Sequence, residues 1–517
     1  MKIFSDVSSL AAATLTADQI VKVKSVGDYR IQDSGTGIAL ANGKIAVPQA
    51  SGTAISVKQF GAVGDGTADD TAALQAALDS GYVAYLPKGT YRTTSTISVG
   101  IRGRALIGDP IQREQGQGYS KILFDGAASS TTAVIRMGAN AVGAEPLIDS
   151  STNVLKNVYV DANNKAGFGV YGTYMTNESL VDSVTVTSST EFNFYFARSW
   201  YATYRNLVSL VCRGNGIALG MPLILQDGTD YSGSWVTASP LEMNQAIIDN
   251  IRSFRAGTYY ATDNPSTYDP TNTSHRMKGY GIGAGTGNGF TLTNFTSERS
   301  GGVGLYVYSS GEVRKTVQYG YLEGNCENSG LVVTSTLPQI ILENTTNANG
   351  IEIRDIYSKY EDGGIYHTGS TVGSTWLRNI HQPRFLKSLD GLTDNQLYGF
   401  VLKDNVYFDC GFNNVREDLM KPTGYGSIVM STGGAGIDFP PTVGRTAIYA
   451  RDESGGASGS YFKIFEDGTV VGPVTLTGLS SSWTLYEVTS PDIRRIARNS
   501  GSGTVQFKVM SVPTTFE

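Results

Sequence analysis

A small polar residue followed by an apolar one recurs through the middle of this chain, where a strand is predicted to begin. The pairs are Asn157-Val158, Ser183-Val184, Asn206-Leu207, Asn250-Ile251, Asn294-Phe295, Asp355-Ile356, Asn379-Ile380 and Asn405-Val406. Four steps between the apolar members, of 26, 23, 24 and 26 residues, match the length of one β-solenoid coil. The other steps, of 44, 44 and 61 residues, have room for two coils or for one coil with a long loop. The pattern predicts stacked parallel strands from about residue 55 to residue 415.

A second pattern, a glycine before an apolar residue, indicates where a turn leads into the next strand of a coil. It is found at Gly216-Ile217, Gly304-Leu305, Gly330-Leu331, Gly350-Ile351 and Gly364-Ile365. Side chains on successive coils of such a stack form columns about 4.8 Å apart. The columns therefore bury apolar groups inside and align polar groups outside.

A short amphipathic helix is predicted ahead of the coils. Gly61, Gly64 and Gly66 allow tight turns, and Asp65 or Thr67 is expected to cap the helix that follows. The apolar positions that share one helical face are Ala73, Leu74, Ala77 and Leu78. We expect this helix to lie across the open end of the stack and to protect its edge.

The texture of the chain changes at both ends. Residues 1–54 contain short alternating strands, and residues 418–517 alternate between apolar and polar positions among Gly/Ser turns. These patterns predict an N-terminal segment, a parallel β-helix over 55–417 and a C-terminal antiparallel domain of sandwich-like type. The fold class is therefore all-β.

The stretch KQFGAVGDGTADDTAALQAAL, from Lys58 to Leu78, continues into VAYLPKGTYRTTSTISV from Val83. It resembles the opening of the pectate-lyase-like, right-handed, single-stranded parallel β-helix of bacteriophage tailspike depolymerases. The resemblance implies a homotrimer, attachment through the N-terminus to a phage tail or to another tailspike, and a C-terminal domain for trimerisation or carbohydrate binding. It also implies a virion protein made in the host cytoplasm. No catalytic residue follows from it, because the matching motif carries none.

Composition narrows the possible partners. The chain has 62 glycines, only 16 prolines and 17% charged residues, as expected for many short strands. The net charge of −6 without a basic run argues against nucleic acid. Cys212, Cys326 and Cys410 are too widely spaced for a zinc site or a disulfide framework, so we predict no metal and no cofactor. The sequence lacks a long apolar run, which predicts a soluble protein that does not insert into membranes.

The two 44-residue steps each carry about 20 residues more than a 25-residue coil, and long loops on a rigid scaffold often bind ligands. The aromatic and histidine residues of these loops are Tyr231, Trp235, Tyr259, Tyr260, Tyr268 and His275. Flat aromatic faces suit sugar rings, so these loops are predicted to bind substrate. The alternative is that the aromatic rings only hold the loops or a subunit contact in place.

Hydrolysis of a glycan needs two carboxyl groups, about 5–5.5 Å apart in retaining enzymes or about 6.5–9.5 Å apart in inverting ones. Glu298 and Glu323 are 25 residues apart, so one coil could stack them. Asp249, between the two long loops, is the competing candidate for either role. Arg299 is predicted to orient a substrate carboxylate. Glu343 and Glu361 repeat the local motif further along the chain.

These residues predict an endo-glycosidase that cuts a capsule or the O-antigen of lipopolysaccharide. A lyase acting by β-elimination is the chemical alternative, with a base among His275, His367 and His381. A non-catalytic adhesin and a secreted enzyme unconnected with a virion also stay open. An adhesin would hold the same glycan without shortening it.

Overall fold

The structure is a computed structural model. It describes residues 1–308 apart from 101–102, 111–118, 139–149, 232–242, 259–276 and 286–290. Beyond residue 308 it describes the backbone of 14 strands between residues 321 and 512. Within the described residues no helix has the length and apolar character needed to cross a membrane.

The N-terminal residues form a five-stranded sheet with one short helix. Its strands are Lys2–Phe4, Ile20–Val23, Gly27–Gln32, Ile38–Ala39 and Ile45–Gln49, and its helix is Val7–Ala11. Leu10, Val23 and Ile31 form the centre of a separate apolar cluster there. The side-chain amide of Gln59 donates hydrogen bonds to the carbonyl oxygens of Asp28 (3.2 Å) and Gln49 (3.0 Å), which ties this sheet to the first coil.

Three parallel sheets form the coils, which confirms the predicted parallel β-helix. The long sheet has 19 strands, and each coil of its central part contributes two, or one long bent strand. Its strands are Ala54–Ser56, Asp65–Asp69, Val83–Leu86, Gly89–Thr93, Ala105–Gly108, Ser120–Phe124, Val154–Lys156, Tyr159–Asp161, Leu180–Asp182, Thr185–Thr187, Thr203–Arg205, Val208–Ser209, Ile247–Asp249, Arg252–Phe254, Thr291–Glu298, Tyr321–Glu327, Asn349–Ser358, Ser374–Arg378 and Val406–Asp409.

Two further sheets close each coil. The nine-stranded sheet contains Ile97–Val99, Ser129–Met137, Ala166–Thr173, Phe192–Ala197, Asn215–Leu219, Ile282–Ala284, Leu305–Tyr308, Ile340–Glu343 and Ile365–Thr368. The short sheet contains Ser150–Ser151, Met175–Thr176, Ser199–Trp200 and Met243–Asn244. A coil therefore passes through the long, the nine-stranded and the short sheet in turn.

The recurring polar residue is the corner between the two strands that a coil contributes to the long sheet. Asn157, Ser183, Asn206, Asn250 and Asn294 all have left-handed backbones, with φ between 52° and 58°. Asparagine tolerates this conformation better than most residues. The apolar residue after each corner is buried, at Val158, Val184, Leu207, Ile251 and Phe295. The sequence pattern thus marks a backbone requirement followed by a core position.

Strand register assigns the long steps. Tyr204 pairs with Ile248, and Ile248 pairs with Leu292, so each 44-residue step is one coil with a long loop. The 61-residue step contains the additional strand Tyr321–Glu327 and is two coils. The pair Asn405-Val406 was wrongly assigned as a corner, because Val406 pairs with Thr375 in the strand before the corner.

The glycine pattern is only partly correct. Ile217, Leu305 and Ile365 lie in one column of the nine-stranded sheet. Ile340 occupies the place expected for Leu331, which lies outside the described residues. Ile351 belongs instead to the long sheet, where it pairs with Thr375.

The helix at the start of the solenoid is confirmed, but its predicted cap is wrong. A 3₁₀ helix spans Val57–Phe60 and the α-helix spans Thr71–Asp79. Leu74, Ala77 and Leu78 are fully buried in the core of the first coils. Asp65, the expected cap, instead accepts hydrogen bonds from the amides of Thr67 (2.8 Å) and Ala68 (2.9 Å) in the preceding turn.

The predicted turn glycines are confirmed by their backbones. Gly61, Gly64 and Gly66 have φ values of 101°, 71° and 80°. Asp70 lies directly before the helix, but its carboxylate accepts hydrogen bonds from the amides of Val63 (2.6 Å) and Gly64 (3.0 Å). The acidic side chains therefore stabilise the glycine turns rather than the helix start.

The C-terminal strands form two four-stranded antiparallel sheets, which confirms the predicted change of strand direction. One contains Ile428–Met430, Arg445–Asp452, Thr484–Val488 and Val505–Val512, and the other Gly436–Asp438, Tyr461–Glu466, Thr469–Thr475 and Arg495–Ser500. The assignment of this region to trimerisation or to carbohydrate binding stays a prediction.

Candidate functional site

The two long loops meet at the entrance to the strand Phe192–Ala197. The first loop leaves after Leu219 and the second after Phe254. The Lys278 ammonium, in the second loop, donates a hydrogen bond of 2.9 Å to the main-chain oxygen of Gln226 in the first. The amide of Gly257 donates to the Gly214 carbonyl at 2.6 Å. Both loops are thus fixed to the coil at one place, which we call the loop junction.

An aromatic floor supports the first loop. On the outer face of the nine-stranded sheet, the rings of Phe168 and Phe192 stack at 5.3 Å, and those of Tyr171 and Tyr195 at 5.4 Å. These rings are buried, and the Tyr195 hydroxyl donates a hydrogen bond of 2.9 Å to the Met221 carbonyl. Offset aromatic pairs of this kind form a rigid surface. The loop residues above them are therefore held in a defined position.

Glu191 lies directly before this floor and is the central residue of the junction. Its side chain is buried, with only 6% of the residue exposed. Its Oε2 atom accepts a hydrogen bond of 2.6 Å from the amide of Gln226. Burial is the main cause that raises the pKa of this carboxyl to about 7, because a low dielectric disfavours the charged form. Glu191 can therefore carry a proton near neutral pH.

Asp227, the next residue after Gln226, has the opposite environment. It is exposed, and it accepts a hydrogen bond of 2.8 Å from the amide of Thr229. This bond and one from the Thr229 hydroxyl lower the pKa of Asp227. The charge of Asp227 in turn contributes to raising the pKa of Glu191, while Lys278 and Arg213 oppose it. The junction therefore pairs a protonated acid with an ionised carboxylate.

The Gln226 side chain adds hydrogen-bonding capacity to the junction. Both of its polar atoms, Oε1 and Nε2, are buried and lack a hydrogen-bond partner among the described residues. Buried polar groups are normally paired, so an unpaired amide calls for an explanation. A hydroxyl group of a bound molecule would satisfy it. The site can thus hold a polar ligand beside a proton donor.

Of the loop residues predicted to bind substrate, the structure describes one. Tyr231 is half-buried and packs against the aromatic floor. Trp235, Tyr259, Tyr260, Tyr268 and His275 lie outside the described residues. The prediction that the long loops carry the binding groups therefore stays a prediction for those five.

The predicted stacking of Glu298 on Glu323 is wrong in its register. Glu298 ends its strand and pairs with Glu327. Gly324 pairs with Phe295 directly after the corner, so the strand Tyr321–Glu327 continues past the turn that the sequence suggested. The backbone of Glu323 pairs instead with that of Arg354. A 25-residue spacing misleads here because this coil is longer than 25 residues.

Arg299 and Asp249 already have partners within the chain. The Arg299 Nε atom lies 3.4 Å from Oε1 of Glu298. The Asp249 carboxylate accepts hydrogen bonds from the Thr293 hydroxyl (2.7 Å) and the Asn294 side-chain amide (2.8 Å). Asp249 and Glu298 lie on strands at opposite sides of the Asn294 corner. The structure therefore does not bring these two carboxylates together as a pair.

Sequence reasoning missed Glu191 because nothing in the stretch SSTEFNFYF marks its burial. It reads as an ordinary polar residue before a hydrophobic strand, and Asp227 follows 36 residues later. Only the return of the loop to the coil brings the two together. Among the residues that the structure describes, no group of three or more His, Cys, Asp or Glu side chains is arranged to bind a metal.

Comparisons with known proteins match the first coils. Residues 54–192, about a quarter of the chain, match a family model described as rhamnogalacturonase A/epimerase, pectate lyase-like. Mannuronan C5-epimerase AlgE4 of Azotobacter vinelandii is 39% identical over 88 residues. That segment is 16% of this chain and 16% of the epimerase, so it spans about a sixth of that relative's length.

Two solved structures extend over most of the chain at low identity. ORF18 of Geobacillus virus E2 has 15% identity and a TM-score of 0.44, covering 95% of this chain and 90% of its own. The enzymatically active domain of tailspike protein 4 from bacteriophage CBA120 has 11% identity and a TM-score of 0.45, covering 98% and 76%. The sequence likeness thus ends at residue 192, and over residues 54–192 the chain is similar to the pectate-lyase-like rhamnogalacturonase A/epimerase family.

Proposed function

We propose that this protein is a phage tailspike that cuts a bacterial surface polysaccharide, capsule or lipopolysaccharide O-antigen, by glycoside hydrolysis at the loop junction. The observation that carries the proposal is the pairing of Glu191 with Asp227, whose environments move their pKa values in opposite directions. Such a divergence is how one site supplies both an acid and a base. The sequence similarity to an enzyme named for mannuronan supports a polysaccharide as substrate.

In the proposed reaction, Glu191 donates its proton to the glycosidic oxygen as the leaving group departs. Asp227 acts from the other side, either as the nucleophile or as the base that activates water. The unpaired amide of Gln226 would hold a sugar hydroxyl between them. Glu298, Glu323 and Asp249, with Arg299, are the second proposed location for the chemistry.

One observation favours β-elimination as the alternative reaction. Lys278 is 8% exposed, and burial lowers the pKa of its ammonium group. A lysine whose pKa is lowered can act as a base that removes the proton next to a uronic carboxylate. A lyase at the same junction would therefore use Lys278, with Glu191 protonating the departing oxygen.

The test is cleavage of a panel of bacterial capsules and lipopolysaccharides by the wild type and by Glu191→Gln, Asp227→Asn and Glu298→Gln variants. Glutamine keeps the acceptor for the Gln226 amide but cannot donate an acidic proton, so Glu191→Gln should keep its melting temperature and lose at least 100-fold in kcat. Glu178→Gln, at an exposed turn residue, is the matched control and should be unaffected.

The products separate the possible reactions. Saturated oligosaccharides indicate hydrolysis, and unsaturated ones, detected by their ultraviolet absorbance, indicate a lyase. Full activity of Glu191→Gln with loss of activity in Glu298→Gln would move the site to the second location. Binding without shortening of any glycan would leave an adhesin. Trimerisation and attachment through the N-terminus remain proposals that rest on the sequence resemblance.

A further inference from the structure

A group of aromatic side chains lies at the far end of the nine-stranded sheet from the loop junction. Tyr174 follows the strand Ala166–Thr173, and Trp200 and Tyr201 follow Phe192–Ala197 in the next coil. The rings of Tyr174 and Trp200 are 5.1 Å apart in an edge-to-face arrangement. We call Tyr174, Trp200 and Tyr201 the aromatic ridge.

The ridge presents apolar surface to solvent. Tyr201 is 57% exposed, the largest exposure of any aromatic residue among those the structure describes, while Tyr174 and Trp200 are half-buried. The guanidinium of Arg198 lies 6.0 Å from the centre of the Tyr174 ring, a distance typical of a cation–π contact. The ridge therefore combines flat apolar faces with a nearby cation.

The ridge also uses backbone conformations that its side chains disfavour. Tyr174 has φ of 59° and Tyr201 has φ of 58°, in the left-handed region where bulky residues are uncommon. At the corners of the long sheet, the same fold places asparagine in four of five such positions, Asn157, Asn206, Asn250 and Asn294 among them. Strained residues of this kind concentrate at sites of function. The retention of tyrosine at two positions that suit asparagine indicates that the rings themselves are used.

Main-chain hydrogen bonds hold the ridge in register with its neighbours. The amide of Glu178 donates to the Tyr201 carbonyl at 3.2 Å, and the Tyr201 amide donates to the Asn244 carbonyl at 3.0 Å. Thr176 and Trp200 are paired positions of adjacent strands, so the aromatic groups are separated by one coil spacing, about 4.8 Å. The rings thus form a rigid row along the solenoid.

We propose that the aromatic ridge is a second polysaccharide-binding site, separate from the loop junction. Sugar rings have apolar faces that stack on aromatic side chains and hydroxyl rims that hydrogen-bond to charged groups. The strand Phe192–Ala197 separates Glu191 from Trp200, and its six residues span roughly 20 Å. One long glycan could contact both sites, and the identity of that glycan rests on the proposed function.

A Tyr201→Asn variant tests the proposal without depending on loss of the fold. Asparagine suits the left-handed backbone, so the melting temperature should stay the same or rise. Removing the exposed ring should weaken glycan binding about tenfold. The control is Tyr82→Asn, which removes another exposed tyrosine, 45% exposed, near the start of the solenoid.

The full chain carrying Glu191→Gln is applied to an array of capsular polysaccharides, lipopolysaccharides and mannuronan, and the tightest glycan is titrated with each Tyr variant. Weaker binding of Tyr201→Asn with unchanged binding of Tyr82→Asn supports the ridge. Equal affinities for all three proteins, or no binding to any glycan, would overturn it. Binding by the ridge in a protein that cleaves nothing would count against the proposed hydrolysis and not against the ridge.

Discussion

The corner asparagines do more than accept an unusual backbone conformation. The Asn206 side-chain amide donates to the Asp182 carboxylate at 2.8 Å, and the Asn250 amide donates to the Asn206 side-chain oxygen at 2.6 Å. Each corner is therefore bonded to the coil below it. Asparagine is suited to this position because it tolerates the left-handed region and has both a donor and an acceptor.

Two substitutions at Asn206 should separate these contributions. Asn206→Gly keeps the backbone freedom and removes the two side-chain hydrogen bonds, so it should lower the free energy of unfolding by about 1–2 kcal/mol. Asn206→Ala also strains the backbone and should cost about 1 kcal/mol more. Chemical denaturation of both variants measures the difference. An alanine variant as stable as the glycine variant would contradict the role of the backbone.

At the residue scale, sequence reasoning succeeds where one requirement is local. The corners could be found because a left-handed residue and a buried residue are adjacent in the chain. Glu191 could not be found, because its burial depends on a loop that returns from Gln226. Asp249 looked catalytic for the same reason, since its partners Thr293 and Asn294 belong to the next coil.

At the scale of elements, the coil is so thin that opposite sheets meet directly. A Cβ atom placed on Gly169, in the nine-stranded sheet, would lie 2.0 Å from Cγ1 of Val186 in the long sheet and 2.9 Å from the Asn193 carbonyl oxygen. No side chain fits there. The glycine is required by close approach of two strands, not by a turn.

A double-mutant cycle should reveal this contact. Gly169→Ala alone should destabilise the protein by about 1–3 kcal/mol through overpacking, and Val186→Ala alone by about 1–2.5 kcal/mol through lost burial. The double variant should be more stable than the sum of the two effects by at least 1 kcal/mol, because the shortened valine makes room. Strict additivity in thermal unfolding would show that the residues do not compete for space.

The order of the elements was more predictable than their register. The parallel coils and the antiparallel C-terminal strands follow from spacing and alternation. The position of Glu298 opposite Glu327 rather than Glu323 does not, because one glycine at a corner moves the strand end by several residues. Coil length is set by turns that single-sequence patterns identify poorly.

For the molecule as a whole, Glu191 links stability to pH. Its pKa is about 7 in the folded protein against an ordinary value of 4.5, so the folded state binds more protons between these values. The stabilising effect is complete below about pH 4.5 and is lost as the pH rises through 7. At roughly 1.4 kcal/mol for each pKa unit, the wild type should lose up to about 3 kcal/mol relative to Glu191→Gln across this range.

Melting temperatures of the two proteins, recorded from pH 4.5 to pH 8, check this expectation. The difference between them should shrink or reverse as the pH rises, whereas the Glu178→Gln control should follow the wild type. Asp227 does not interfere, because its lowered pKa places its titration below the window. Parallel curves for wild type and Glu191→Gln would show that this carboxyl titrates normally.

The single-residue corners also determine how such a protein can evolve. In the coils from Asn157 to Asn294, the spacing between corners varies from 23 to 44 residues, yet the corner itself remains one residue. The extra chain enters only beside the nine-stranded sheet. A recombination event that exchanges one loop between relatives therefore leaves every other coil in place, so new specificities can be acquired as interchangeable cassettes rather than by gradual remodelling of the whole scaffold.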